Sequence, residues 1–205
     1  KETKEINLCL SGGCAYNGTA NGKIQEKSNF ENVWIPSAPS DAGSAIGAAL
    51  HYYFTQSKDK WYEIDNQSPF LGPEENNQEF IKVCRKNQDK IVWEVIPDST
   101  LFRKISKLIS EGNIIGWVQG KLEFGARALG NRSILADPRD SQMKKRVNMV
   151  VKKREGFRPF APMVTFEDRT KYFTPPYYIP YMNQIVKVSE SHRENLPAIT
   201  HTDGS

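Results

Sequence analysis

Gly120-Lys121-Leu122-Glu123-Phe124-Gly125-Ala126-Arg127-Ala128-Leu129-Gly130-Asn131-Arg132-Ser133 is the stretch whose reading decides this chain. A second stretch, Lys152-Lys153-Arg154-Glu155-Gly156-Phe157-Arg158-Pro159-Phe160-Ala161-Pro162, follows further on. Each carries several cations and a single acid. An arginine fork matches the oxygens of phosphate and carbamoyl groups, and glycines let backbone N–H groups approach them closely. Phe124, Ala126, Ala128 and Leu129 alternate with the charged residues. The arginines therefore stand on a partly buried frame, where an unpaired charge is costly and calls for a ligand or an acid partner. The competing reading is a solvated basic face, the role of most exposed charges.

Outward from this stretch the pattern alternates strand and helix. Residues 91–96 read as a strand, and residues 99–111 as a helix with apolar Leu101, Ile105, Leu108 and Ile109. Gly112-Asn113 stops that helix before a strand at 114–118. Beyond the arginine stretch, Met143, Val147, Val150 and Val151 give 141–151 helical spacing, residues 163–166 read as a strand, and the aromatic, proline-rich 172–182 reads as a rigid loop. Toward the start, residues 6–10 read as a buried strand that feeds the Ser11-Gly12-Gly13 turn and a helix over 14–24. A second strand centres on Val33-Trp34-Ile35, and a helix covers 41–54. The polar segment 57–69 is assigned as a linker between a first unit, 1–56, and a second, 70–205. The expected fold class is α/β (α+β).

The chain has 205 residues and a net charge of +4, with acids and bases interspersed. That balance argues against a nucleic-acid arm or a polybasic membrane segment. A concave basic surface that reads RNA or nucleotide without transferase activity is the weaker alternative, because no aromatics are interleaved at stacking spacing. No apolar run has the length of a membrane span. Cys9, Cys14 and Cys84 have no C-x-x-C spacing, which argues against a disulfide framework or zinc knuckle and for reduced thiols in a cytoplasmic setting. Nothing in the sequence speaks to oligomeric state. From Lys1 to Ser205 the chain reads as a piece of a longer protein.

Ser11-Gly12-Gly13 between strand and helix is an arrangement that cradles phosphate, and equally a common packing turn. Asn17, one turn on, supports a ligand or bonds the helix backbone. Asp41 opens a helix either as a cap or as a metal carboxylate.

The run from Gly116-Trp117-Val118-Gln119-Gly120 through Asp137-Pro138-Arg139, with Asn148, Lys152, Arg154-Glu155 and Phe157-Arg158-Pro159-Phe160-Ala161-Pro162, resembles the carboxy-terminal part of the NodU/CmcH-type O-carbamoyltransferases. Residues 10–17 and 36–49 resemble the end of that family's first domain. The resemblance implies an actin/sugar-kinase-like ATPase segment over 1–56, followed by a YrdC-like twisted mixed sheet with helices that forms carbamoyl-adenylate from carbamoyl phosphate and ATP. It implies Lys152, Arg154, Arg127 and Arg132 as catalytic residues. It assigns Asn131, Ser133, Arg158, Lys121, Gly12, Gly13 and Asn17 to carbamoyl phosphate and nucleotide, and Asp41 to a divalent metal, iron among the candidates. ATP with Mg2+ and a small hydroxyl acceptor, a sugar or natural-product intermediate, complete the set. Lys121 and Ala126 depart from the family's more usual arginine and proline, and Cys14 and Tyr16 replace smaller apolar residues. His201, Asp203 and Gly204 match the start of a further family motif.

Overall fold

The computed structural model describes residues 3–56, 68–74 and 76–205. The linker assigned to 57–69 lies outside the described residues except for its last two positions. The fold is a mixed α/β arrangement in which the described strands form three two-stranded ladders.

The first half opens with β1 (Asn7–Cys9), a tight turn at Gly13–Tyr16, helix α1 (Gly18–Lys27) and β2 (Asn32–Trp34). β2 runs parallel to β1 in the register Asn7↔Asn32, Leu8↔Val33, Cys9↔Trp34. The helix over 14–24 is thus split, because Asn17 ends the first turn and caps α1 by accepting from Ala20 N at 3.1 Å. Helix α2 (Asp41–Gln56) turns Gly43, Ile46, Leu50 and Phe54 to its less exposed side, a 3.6-residue period.

In the second half, α3 (Asn77–Lys86) and α4 (Asp98–Ser110) precede an antiparallel pair, β3 (Ile115–Val118) and β4 (Arg132–Leu135), in the register Ile115↔Leu135 to Val118↔Arg132. Residues 120–131 of the arginine stretch lie in the loop joining these two strands, and Arg132 and Ser133 open β4. Helix α5 (Met143–Arg146) runs into a wide π turn, Val147–Val151, a geometry often found at functional sites. Helix α6 (Arg169–Tyr172) leads to β5 (Phe173–Thr174), which pairs antiparallel with β6 (Lys187–Val188).

Two expected strands are absent. Residues 91–96 are irregular, with Val92 and Val95 exposed, and residues 163–166 are irregular, with Met163 and Phe166 exposed. A β-prone run becomes a strand only where a neighbour offers a ladder, and neither run has one among the described residues. Phe166 instead lies 3.6 Å under the Arg169 guanidinium. No helix among the described residues is long and apolar enough to cross a membrane.

A buried cluster of Met143, Val147 and Ala198, packed by Ile114, Ala136 and Phe160, fixes the π turn. A second seam joins the two halves. Buried Asn21 donates to the carbonyls of Ala15 and Asn183, both at 2.7 Å, and Asn183 donates to Ile35 O at 2.8 Å. At this seam a Cβ on Gly22 would run into the Ile185 carbonyl, whereas one on Gly47 meets nothing within 4 Å. Gly22→Ala should therefore cost about 1–3 kcal/mol as overpacking, read as a lowered urea midpoint. Gly47→Ala should be neutral or slightly stabilising through helix propensity.

Candidate anion-binding site

The arginine loop is built around Glu123, whose side chain is fully buried. Its Oε1 accepts from the backbone N–H groups of Leu129 (2.6 Å), Asn131 (2.8 Å) and Arg132 (3.3 Å). Its Oε2 lies 3.2 Å from Arg132 Nε as an ion pair without hydrogen-bond geometry. Burial alone pushes this carboxyl up. The backbone donors outweigh burial and hold it below the ordinary glutamate value. Arg132 also donates to Gly125 O at 2.7 Å, Asn131 donates to Lys121 O at 2.7 Å, and the Ser133 hydroxyl accepts from Gly130 N at 3.0 Å. Arg132, Asn131 and Ser133 thus brace the loop, and Arg127 is the arginine it presents outward.

The second stretch is organised by Asn148, fully buried on the π turn. Its amide donates to Arg158 O at 2.9 Å and Gly156 O at 3.4 Å, and its carbonyl accepts from Arg154 Nε at 2.7 Å. Lys153 adopts a left-handed conformation at φ 48°, uncommon for a residue with a side chain and a pointer to a constrained site. Arg154 lies over the ring of core-packed Phe160, 5.1 Å from its centroid. With its Nε fixed, its two terminal nitrogens are available to a ligand. Met149, Lys153, Arg154 and Glu155 line an open depression of about 440 Å3. Glu155 pairs with Arg158 at 2.8 Å, and its own backbone N–H, then Arg158, hold its carboxyl below the usual range. Lys152 is exposed at the end of the π turn.

The two stretches do not share that depression, since no residue of 120–133 lines it. The arginine loop instead meets the first half of the chain. Arg127 stands over the Tyr16 ring at 5.7 Å, and the Gly125 backbone abuts Ser37. Gly12, at φ 94°, donates to Pro39 O, and Gly13 faces Ser40. Asn17 spends its side-chain oxygen on the helix cap, the second of the two roles open to it. Asp41 is exposed at the first residue of α2. Among the described residues no group of three His, Cys, Asp or Glu side chains is placed to hold a metal ion.

Comparison with known proteins bears on what this arrangement serves. The family model described as Carbamoyltransferase C-terminus matches residues 106–205, and its companion, Carbamoyltransferase N-terminus, matches residues 1–50. The chain belongs to the carbamoyltransferase family. This carbamoyltransferase chain is 42% identical to the nodulation protein NolNO of Sinorhizobium fredii, over 97% of the chain and 29% of that protein. It is 39% identical to the nodulation protein NolO of Bradyrhizobium diazoefficiens, over 100% of the chain and 38% of that protein. It is 34% identical to the 3'-hydroxymethylcephem-O-carbamoyltransferase of Streptomyces clavuligerus, over 97% of the chain and 35% of that protein. The chain spans about a third of the length of these curated relatives. The carbamoyltransferase loops owe their shape to two residues that carried the resemblance without an assigned role, Glu123 and Asn148. A signal existed for Asn148, the one amide in the apolar run Val147-Asn148-Met149-Val150-Val151, where a buried polar group must have partners.

Proposed function

We propose that this chain is the part of an O-carbamoyltransferase that holds carbamoyl phosphate and activates its carbamoyl group on ATP. The observation that carries this reading is the presentation of Arg154. A fully buried amide fixes one edge of its guanidinium, the half-buried Phe160 ring lies beneath, and Arg154 lines the depression together with Lys153. A fork held this way offers parallel donors to a phosphate or carbamate at little further ordering cost.

In the proposed sequence, water cleaves carbamoyl phosphate to carbamate and phosphate. A carbamate oxygen then attacks the α-phosphorus of ATP and pyrophosphate leaves. The acceptor hydroxyl oxygen next attacks the carbamoyl carbon, AMP departs and the hydroxyl proton is lost. Lys152, Arg154 and Arg158 neutralise anionic groups at the second stretch and Arg127 does so from the arginine loop, the main protein contribution to such transfers. Arg132, Asn131 and Ser133 keep Arg127 in place, Lys121 adds charge at the loop's edge, and Gly12 and Gly13 offer a nucleotide-facing turn. ATP enters as its Mg2+ complex, and no residue of the chain is assigned to the cation. The name of the cephem relative, a 3'-hydroxymethylcephem-O-carbamoyltransferase, supports a hydroxyl acceptor.

Calorimetric titration of the full polypeptide with carbamoyl phosphate tests the reading. Binding is expected, and Arg154→Ala should weaken it about 10- to 100-fold, the effect of one lost charge-assisted contact. No binding by the parent, or equal binding by Arg154→Ala, overturns the assignment.

A further inference from the structure

We propose that Tyr16 is a positioning residue for Arg127, holding it ready for the anion that the arginine loop takes up. The inference rests on the carbamoyl phosphate reading for the ligand and on geometry for the residue. Tyr16 closes the Gly13–Tyr16 turn and is half-buried, so its ring is anchored. The Arg127 guanidinium carbon stands 5.7 Å from the ring centroid, inside the range where a ring face attracts a cation. Arg127 is exposed, and no carboxylate among the described residues pairs with it.

An exposed arginine without an acid partner samples many rotamers, and binding an anion must then restrict them. The Tyr16 ring removes part of that freedom beforehand. It does so without neutralising the charge, as a carboxylate would. The base of the lever is rigid as well. Gly125, two residues before Arg127, sits at φ 134° with its Cα against Ser37, where an added Cβ would lie 2.9 Å from the Ser37 carbonyl oxygen. Glu123 pins the far side through Leu129, Asn131 and Arg132. Between these two anchors the aromatic ring sets where Arg127 points. The ring comes from the first half of the chain and the arginine from the second, so an anion at Arg127 lies beside the glycine turn that Tyr16 terminates.

The experiment is a double-mutant cycle on the full polypeptide, read by carbamoyl phosphate titration and by the rate at which phenylglyoxal modifies Arg127, followed by peptide mass. Tyr16→Leu should weaken binding about threefold to fivefold, the worth of an exposed cation–π contact, and Tyr16→Phe should restore it. In an Arg127→Ala background Tyr16→Leu should have no further effect. Without ligand, Tyr16→Leu should speed modification of Arg127 over the parent and over Tyr16→Phe. A purely structural role for Tyr16 predicts equal losses in both backgrounds. That result, or an unchanged modification rate, overturns the proposal. Failure of the parent to bind carbamoyl phosphate overturns the ligand reading, and the modification rates still decide the role of Tyr16.

Discussion

Replacing Asn148 by alanine should lower the stability of the chain by about 2–4 kcal/mol and weaken carbamoyl phosphate binding as much as Arg154→Ala does. The side chain makes three hydrogen bonds, two from its amide to the carbonyls of Arg158 and Gly156 and one from Arg154 Nε to its carbonyl. Alanine removes all three and leaves the Arg158 carbonyl and the Arg154 Nε without those partners, at about 1–3 kcal/mol for each group that water does not reach. Asn148→Asp separates the two roles. A carboxylate still accepts from Arg154 but faces the Arg158 carbonyl with a second acceptor, so stability should fall while the aim of Arg154 partly survives. Val150→Ala is the control, because Val150 is exposed on the same turn and its truncation should stay within about 0.5 kcal/mol. Urea midpoints and titrations of the variants decide the matter. If Asn148→Ala keeps the parent's midpoint and affinity, the amide does not organise this loop.

How much of this was legible depends on the kind of residue. Leu101, Ile105, Leu108 and Ile109 marked one face of α4, and all four lie on its less exposed side, since helical periodicity reports burial directly. The strand at 114–118 was legible for a similar reason, whereas its partner β4 was not. Arg132-Ser133-Ile134-Leu135 is too short and too polar to announce a strand, and it becomes one by lying against β3. Residues 91–96 show the converse, an apolar run with no ladder to join. The accessible surface, 15216 Å2, exceeds by about half the ~9,700 Å2 usual for this mass. Apolar residues such as Val92, Phe102 and Met163 contribute to that excess. Local pattern and final packing part company at such places. The arginines themselves were legible because a cation-rich, glycine-bracketed loop is chemically unusual. What aims them was not, because one glutamate or one asparagine carries no periodicity, and its burial is a property of the fold.

Glu123→Ala should destabilise the chain by about 3–5 kcal/mol, the usual consequence of removing one partner of a buried ion pair. The carboxylate serves four groups at once. Three backbone N–H groups converge on Oε1, and Arg132 Nε stands beside Oε2. Glu123→Gln keeps an acceptor for the amides but turns an NH2 group toward Arg132, donor against donor, and should cost about 1.5–3 kcal/mol, the worth of a charge-assisted contact. The pH dependence has a definite sign. Because the folded-state pKa of Glu123 is depressed, the unfolded chain binds the proton more readily. The carboxylate's contribution is therefore complete above the ordinary glutamate pKa of about 4.3 and is lost as pH falls below it, through the depressed folded value. The parent's urea midpoint should fall more steeply than that of Glu123→Gln as pH is lowered through the ordinary glutamate value of about 4.3, and the two midpoints should converge at the acid end. Parallel pH profiles would mean that the folded and unfolded chains bind the Glu123 proton alike, and that the amides of the arginine loop are held by something other than its charge.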